Sequence, residues 1–403
     1  MRVLLINQVF HPDPQATSQY LNRVAAELAR RGHKVTVLTG RRDYDDPERL
    51  YPAREVWRGV EIIRVWSTGL GHGSKGGRMA DFLSFLLLAC WRGVFLPRAD
   101  VVMALTTPPL VSVLGAILSL LWRARFVCWL MDLNPDEAVA VGWLDRDGPV
   151  TDFLETALRW SLERAERVIV PDIYMRGRLL GKGVPAEKME VIPLWVQGGV
   201  IFDAAGRERF RREHGLEGKY VVMYAGNHTP CHPLDTLMSA ARLLRDEARI
   251  HFCFIGGGMD WGRWRDRARA EGWENATFLG YQPEAGLSGQ LSAADVQVVV
   301  MGEAFVGIVH PCKVYNFLAA ERPFISIGPE RSHIADLIRE AGLEAVSVSL
   351  AHGQSRALAE ELRRRVCGKG FPAWPASART ESWEEESALR KMVSVLEGEN
   401  RFD

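Results

Sequence analysis

The chain has 403 residues, enough for two or three ordinary domains, with 47% apolar and 25% charged residues, 37 glycines and 20 prolines; this globular composition excludes a disordered, collagen-like or coiled-coil chain. Fifty basic residues balance fifty acidic ones, so no broad positive field exists for a general nucleic-acid binder. Six scattered cysteines without a CxxC pair fit a reducing cytoplasm rather than a disulfide scaffold or thiolate zinc site, and the N-terminus turns polar too soon for a signal peptide.

Residues 3–9 predict a buried strand, 10–17 a loop and 18–31 a helix closed by Gly32-His33. The β-branched run at 34–39 completes a β-loop-α-β unit, the opening of a doubly wound α/β domain. Further parallel strands are expected at 60–63, 101–105, 125–130 and 167–171, with a helix at 153–164. The register changes near 191–195, a basic helical pattern lies within 203–219, and the α/β pattern restarts with a strand at 220–225. Helices at 233–245, 261–271 and 287–292 then alternate with strands at 251–255, 276–279 and 296–300. Two open α/β domains joined near residue 195 are the economical reading.

Two segments, 82–96 and 110–121, are strongly apolar, but Arg92 interrupts the first and Trp122-Arg123-Ala124-Arg125 ends the second, short of a membrane span. Two readings stay open. They form an arginine-edged apolar face that meets the anionic inner leaflet or a lipid-linked substrate, or they are helices buried against the sheet.

Open α/β sheets bind ligands at the carboxyl ends of their strands, so the chemistry is sought in the loops there. The first loop lacks glycine and is no dinucleotide fingerprint; its Asp13 and Thr17 either cap the next helix or touch a substrate. After the strand at 125–130, Asp132, Asp136 and Glu137 crowd six residues. One carboxylate there can orient an acceptor hydroxyl or take its proton; the alternative is a turn and a helix start. In the second half, Gly226 permits close backbone approach, and Asn227, His228 and His232 can donate hydrogen bonds to a diphosphate. His228, Cys231 and His232 lack a fourth ligand, so no metal is expected. Gly256 and Gly257 form a second post-strand glycine loop, without the order of a P-loop. The third is 302–323, where Lys313 offers a cation and Pro311 and Cys312 precede a helix start, while Glu303, Tyr315 and Asn316 can grip sugar or ribose hydroxyls. Together these loops would surround one elongated polyanionic donor.

The stretches 28–39, Asp132-Leu133-Asn134-Pro135-Asp136 and 311–323 resemble glycosyltransferase family 4, a retaining family with the GT-B fold of two facing Rossmann-like domains. The resemblance covers almost the whole chain and is strongest to the colanic acid and O-antigen subgroup, N-acetyl-fucosamine transferases included. It implies an acceptor domain at 1–195, a nucleotide-sugar domain at 196–380 and a terminal helix at 381–403 that packs back on the first domain, with a plain terminal helix on the second as the alternative. It also implies a nucleotide-sugar donor, UDP-linked, transfer with retention, no cofactor and no metal. The acceptor would be a polyprenyl-diphosphate-linked or other membrane-associated saccharide, and the enzyme cytoplasmic, attached peripherally to the inner membrane. Asp132, Asp136 and Lys313 would be catalytic, Asp13, Thr17 and Glu137 acceptor-binding. The sequence departs from the family in its glycine-free first loop and in having Asn227, His228 and His232 where a basic pair surrounds the diphosphate. It also lacks two glutamates eight positions apart, Ile308 and Asn316 standing there, so Glu303 is a substitute. The competing classes are a sugar-nucleotide 2-epimerase or similar two-domain enzyme and a noncatalytic nucleotide-sugar-binding module.

Overall fold

The computed structural model describes residues 1–43, 46, 48–71, 75–196, 199–368, 370–378 and 381–399. Two compact units divide it: Met1–Leu194 with Gly307–His310 and the segment from Glu386, and Trp195–Val306 with Pro311–Glu385. Residues 197–198, 379–380 and 400–403, on which parts of the expected domain limits fall, lie outside the described residues.

The first unit runs β1 (Arg2–Ile6), α1 (Ala16–Arg30), β2 (Lys34–Gly40), β3 (Arg54–Trp57), β4 (Val60–Val65), α2 (Lys75–Val94), β5 (Val101–Ala104), α3 (Val111–Trp122), β6 (Arg125–Trp129), α4 (Asp136–Ala140), α5 (Pro149–Arg164), β7 (Arg167–Val170), α6 (Ile173–Gly181) and β8 (Met189–Val191). Among the described residues they build one eight-stranded sheet, in order β3-β4-β2-β1-β5-β6-β7-β8. The expected all-parallel stack needs correcting at its edge, because β3 pairs antiparallel with β4. Arg58 and Gly59, at φ +49° and +81°, make the two-residue hairpin turn that matches strand twist. The chain order reverses between β1 and β5, so the loops after these strands flank a crevice at the sheet's carboxyl edge.

Helix α3 belongs to the core. A Cβ on its Gly115 would lie 2.6 Å from the Phe126 ring and 2.8 Å from Ala104, so the helix backbone approaches the sheet as closely as glycine permits. For 110–121 the buried reading is therefore correct apart from its end, where Leu120 and Leu121 are exposed. Helix α2 is divided: Phe85 and Ala89 are buried, whereas Leu83, Leu87 and Trp91 are exposed. None of the described helices is long and apolar enough to cross a membrane.

The second unit runs α7 (Ala204–Glu213), β9 (Tyr220–Ala225), α8 (Asp235–Leu243), β10 (Ile250–Ile255), α9 (Trp261–Ala270), β11 (Ala276–Leu279), α10 (Leu287–Ser292), β12 (Val296–Val300), α11 (Lys313–Ala319), β13 (Phe324–Ile327), α12 (His333–Ala341), β14 (Ser347–Leu350) and α13 (Ser355–Cys367). Its described strands form a parallel six-stranded sheet, β11-β10-β9-β12-β13-β14. Phe252, Phe254, Trp264 and Leu358 fill the core. The order reverses between β9 and β12, which puts the loops beginning at Gly226 and Gly302 on either side of the switch point.

The last helix, α14 (Glu385–Glu397), is held by the first unit. Arg125 donates from Nη1 to the Leu396 carbonyl at 2.8 Å, and His33 Nε2 meets Glu397 Oε1 at 2.8 Å. The segment 307–310 also joins the first unit although the sequence placed it in the second: the Leu133 N–H donates to the Ile308 carbonyl at 2.8 Å.

Candidate active site

In the second unit the two glycine loops form one object. Gly226 and Gly256 adopt φ +142° and +129°, and a Cβ on Gly256 would fall 2.2 Å from the Gly226 carbonyl oxygen. The His228 N–H donates to the Gly257 carbonyl at 2.8 Å, and the Asp260 N–H to the His228 carbonyl at 3.0 Å. Only glycine allows this contact. From the other side of the switch point, the Gly302 N–H donates to the Cys231 carbonyl at 2.9 Å.

Lys313, at the first turn of α11, reaches into this construction. Its Nζ is buried without a hydrogen-bond partner and sits 3.7 Å from the centroid of the Tyr224 ring. A Cβ on Gly226 would be 2.7 Å from that nitrogen. Burial lowers the Lys313 pKa to about 7, because an ammonium removed from water with no counter-charge is disfavoured. The cation–π contact offsets part of that cost. The result is a buried cation beside a backbone open to close approach, which is what a phosphate group requires. Tyr224, which sequence reasoning passed over, donates its hydroxyl to the Asn227 carbonyl at 2.7 Å. Exposed Tyr281, also passed over, donates to Asn227 Oδ1; its place one residue past Gly280, in the loop after β11, was the available signal.

The histidines differ from expectation. The His232 Nδ1 proton is directed to the Val300 carbonyl, 2.9 Å away, and burial together with Lys313 brings its pKa down to about 3. Neutral His232 therefore presents an acceptor at Nε2, not the donor expected for a diphosphate. His228 is fully buried between Tyr224 and Phe254, and burial, then Lys313, lowers its pKa to about 4; its main chain, not its ring, binds the two loops together. Helix α8 begins at Asp235, so its N-terminus is farther from Gly226 than expected. Of the third cluster, Glu303 is exposed in a short turn after β12, Pro311 is buried, and Cys312 and Asn316 are half-buried about α11. Tyr315 is only 2% exposed.

The first unit gathers acids after β6. Asp132 has its pKa raised well above the usual carboxylate range, by burial first and the Glu137 carboxylate second. Asn134 donates to Glu137 Oε2 at 3.4 Å. Asp136 serves the packing instead, because its Oδ2 lies 2.8 Å from Lys182 Nζ, which also meets Glu155 at 2.5 Å. That ion pair joins α4 to α5 and α6. Asp13 is buried, and its Oδ1 accepts from the Gln15 N–H at 3.0 Å, which folds the first loop. Thr17 is half-buried in the first turn of α1, a helix with no side-chain cap.

A pair that no sequence motif marks lies next to the acidic loop. His310 Nδ1 is 2.6 Å from Asp172 Oδ2, both buried, and Asp172 Oδ1 caps α6 by accepting from the Met175 N–H at 2.8 Å. With the Leu133–Ile308 hydrogen bond, this fastens 307–310 beside Asp132.

Residues 16–195 match the glycosyl transferase 4-like domain family and residues 219–366 the glycosyl transferases group 1 family. The chain is built from two glycosyltransferase domains. Over 61% of its length it is 24% identical to the probable glycosyltransferase WbjE of Pseudomonas aeruginosa, a match spanning 62% of that protein. It is 25% identical, over 99% of its length and all of the relative, to WcaI of Escherichia coli, a putative colanic acid biosynthesis glycosyl transferase. Sucrose-phosphate synthase from Thermosynechococcus elongatus superposes with a TM-score of 0.71 at 16% identity, covering 99% of this chain and 98% of that one. Anabaena HepE in complex with UDP-glucose gives 0.70 at 15%, covering 99% and 100%. The fold is GT-B, with two parallel-sheet, Rossmann-like domains. In these glycosyltransferase domains the Gly226–Gly256–Lys313 construction lies wholly in the group 1 domain, and the Asp132–Glu137 pair in the 4-like domain.

Proposed function

We propose that the chain transfers a sugar, with retention, from a UDP-linked donor to a saccharide acceptor carried on a polyprenyl diphosphate or another membrane-borne lipid, in the assembly of a surface polysaccharide. The single observation that carries this reading is the Lys313 ammonium, buried without a hydrogen-bond partner against Gly226 and the Tyr224 ring. The UDP-glucose of HepE and the colanic acid assignment of WcaI support the donor and the pathway class.

In this mechanism the diphosphate lies against the Gly226 and Gly256 loops, and Lys313 neutralises the charge that grows on the leaving oxygen as the glycosidic bond breaks. His232 Nε2 accepts from a donor hydroxyl. The acceptor hydroxyl attacks from the leaving-group face, and its proton passes to the departing phosphate oxygen. No cofactor or metal takes part in these steps. The enzyme acts in the cytoplasm, at the inner membrane.

Offering UDP- and GDP-sugars with a membrane extract tests the reading. Release of nucleoside diphosphate coupled to a new glycolipid is expected. An epimerised nucleotide sugar would assign the chain to the 2-epimerases, and binding without turnover across the panel to the noncatalytic modules.

A further inference from the structure

The amino edge of the first sheet, opposite the edge that carries the loops after β1 and β5, holds a polar feature of its own. Met1, Arg2, Gly32, Lys34, Arg98 and Asp100 line an open depression of about 520 Å³ there. Strands β1 and β2 run parallel with Arg2 opposite Lys34, so two exposed cations stand side by side at the start of neighbouring strands, and like charges on opposed residues repel. Arg98, exposed in the loop before β5, adds a third cation, and β5 flanks β1 on its other side.

The acids nearby are engaged elsewhere. Asp100 Oδ2 accepts from the Arg2 main-chain N–H at 2.7 Å, and the Asp100 N–H donates to the Arg2 carbonyl at 2.8 Å, which laces the start of β5 to β1. Glu61 accepts from the Thr36 hydroxyl at 3.5 Å, and Glu397 meets His33 at 2.8 Å. Among the described residues Arg2, Lys34 and Arg98 form no ion pair. The end of α1 adjoins the depression at Gly32, but the Gly32 and His33 N–H groups donate back to the Ala29 and Leu28 carbonyls at 2.9 and 3.1 Å, a turn that Gly32 allows at φ +86°; two carbonyls that would repel an anion are thereby satisfied. Three cations against one acid leave the lining with positive charge in excess. A multivalent phosphate supplies what is missing, because arginines donate paired N–H bonds to its oxygens and lysine adds a point charge. Met1 is the one apolar side chain of the lining, so nothing there receives an acyl chain or the apolar residues of a peptide.

We propose that this depression is a second anion site, separate from the one at Lys313, and that it takes the diphosphate of a soluble molecule. Strand β1 and helix α1, which border it at Arg2 and Gly32, are the elements that enter and leave the first loop, so an anion that relieves the repulsion between β1 and β2 steadies the frame of that loop. The test uses the full chain carrying Lys313→Met, which silences the donor site. Pyrophosphate, inorganic phosphate and sodium chloride are titrated into it by calorimetry at matched ionic strength. Pyrophosphate should bind more tightly than phosphate, and chloride not measurably. Arg2→Gln with Lys34→Gln should weaken pyrophosphate binding about tenfold or more, the worth of charge-assisted hydrogen bonds. Arg98→Gln, outside the sheet, should weaken it too and keeps the test decisive if the strand pair fails to fold. Arg212→Gln, exposed at the end of α7 in the other domain, should leave it unchanged. Without anion, the Arg2→Gln, Lys34→Gln chain should melt no lower than its parent, since a repulsion is removed, and pyrophosphate should raise the melting temperature of the parent alone. No pyrophosphate binding, binding matched by chloride, or binding that survives both sets of substitutions overturns the proposal. So does binding confined to phosphatidylglycerol vesicles, which would make a lipid headgroup the occupant.

Discussion

The Lys313 ammonium lies 3.7 Å from the Tyr224 ring centroid, and Tyr224 spends its hydroxyl on the Asn227 carbonyl 2.7 Å away. The strand β9 thus presents a ring face to the cation while tying down the loop that follows it. Among the described residues the lysine's environment supplies attraction but no hydrogen-bond partner.

Lys313→Met should lower UDP affinity by about 10- to 100-fold, the worth of a charge-assisted hydrogen bond. Its melting temperature should equal or exceed that of the parent, since a buried unpaired charge is removed. Calorimetry and a thermal melt check both; unchanged affinity removes Lys313 from the donor site.

The same lysine sets a pH dependence. Its folded pKa is depressed from 10.5 to about 7, so between those values the unfolded chain carries a proton that the folded chain lacks, and this group's contribution to stability rises with pH across that window. Its penalty is fully present below pH 7. UDP affinity should run the opposite way, weakening from pH 7 to 9 as the charged form is lost, with proton uptake on binding. Titrations in buffers of different ionisation enthalpy read the uptake, which should vanish in Lys313→Met.

Gly256→Ala should be severe. The new Cβ meets the Gly226 carbonyl at 2.2 Å and the backbone stands at φ +129°, so the two loops must separate. A destabilisation of about 2 kcal/mol or more is expected, together with loss of UDP binding. Ala at Gly262, where nothing lies within 4 Å, is the control.

At the acidic loop, Glu137→Gln removes the second cause of the raised Asp132 pKa while leaving burial, the first. The acid limb of the kcat/KM profile should therefore move to lower pH without disappearing. Because the folded Asp132 pKa lies above 3.8, that group costs stability as pH rises from about 4 towards the folded value, and Glu137→Gln should recover part of the cost. An unmoved limb would show that Asp132 is not the titrating group.

Arg125→Ala tests the return of the terminal helix. It deletes the donors to Leu396 and Val395 and the pair with Glu166 at 2.7 Å. Limited proteolysis should release α14 faster, with about 1–2 kcal/mol lost from its docking. Equal cleavage rates would mean that His33 and Glu397 suffice.

Residues 34–39, 125–130 and 220–225 declared their strands because short runs rich in β-branched or aromatic residues, buried on both faces, have few other uses. The loops after β9, β10 and β12 were legible for a similar reason, since glycines after a strand mark close approach. The edge hairpin at β3, half-exposed along its length, carries no such run. Tyr315, two places from Lys313, is on a different helix face, and spacing alone did not say which face was inside.

The sequence by itself determined the two α/β domains, the places of their post-strand glycine loops, and the residue types available there, because these follow from local periodicity and from the backbone freedom of glycine. Tertiary structure decided what each group can do. It paired Asp136 with Lys182, turned the His232 proton to Val300, raised the Asp132 pKa with burial and Glu137, and left Lys313 buried without a hydrogen-bond partner. Protonation and charge depend on desolvation and on neighbours distant in sequence, and those exist only once the chain has folded.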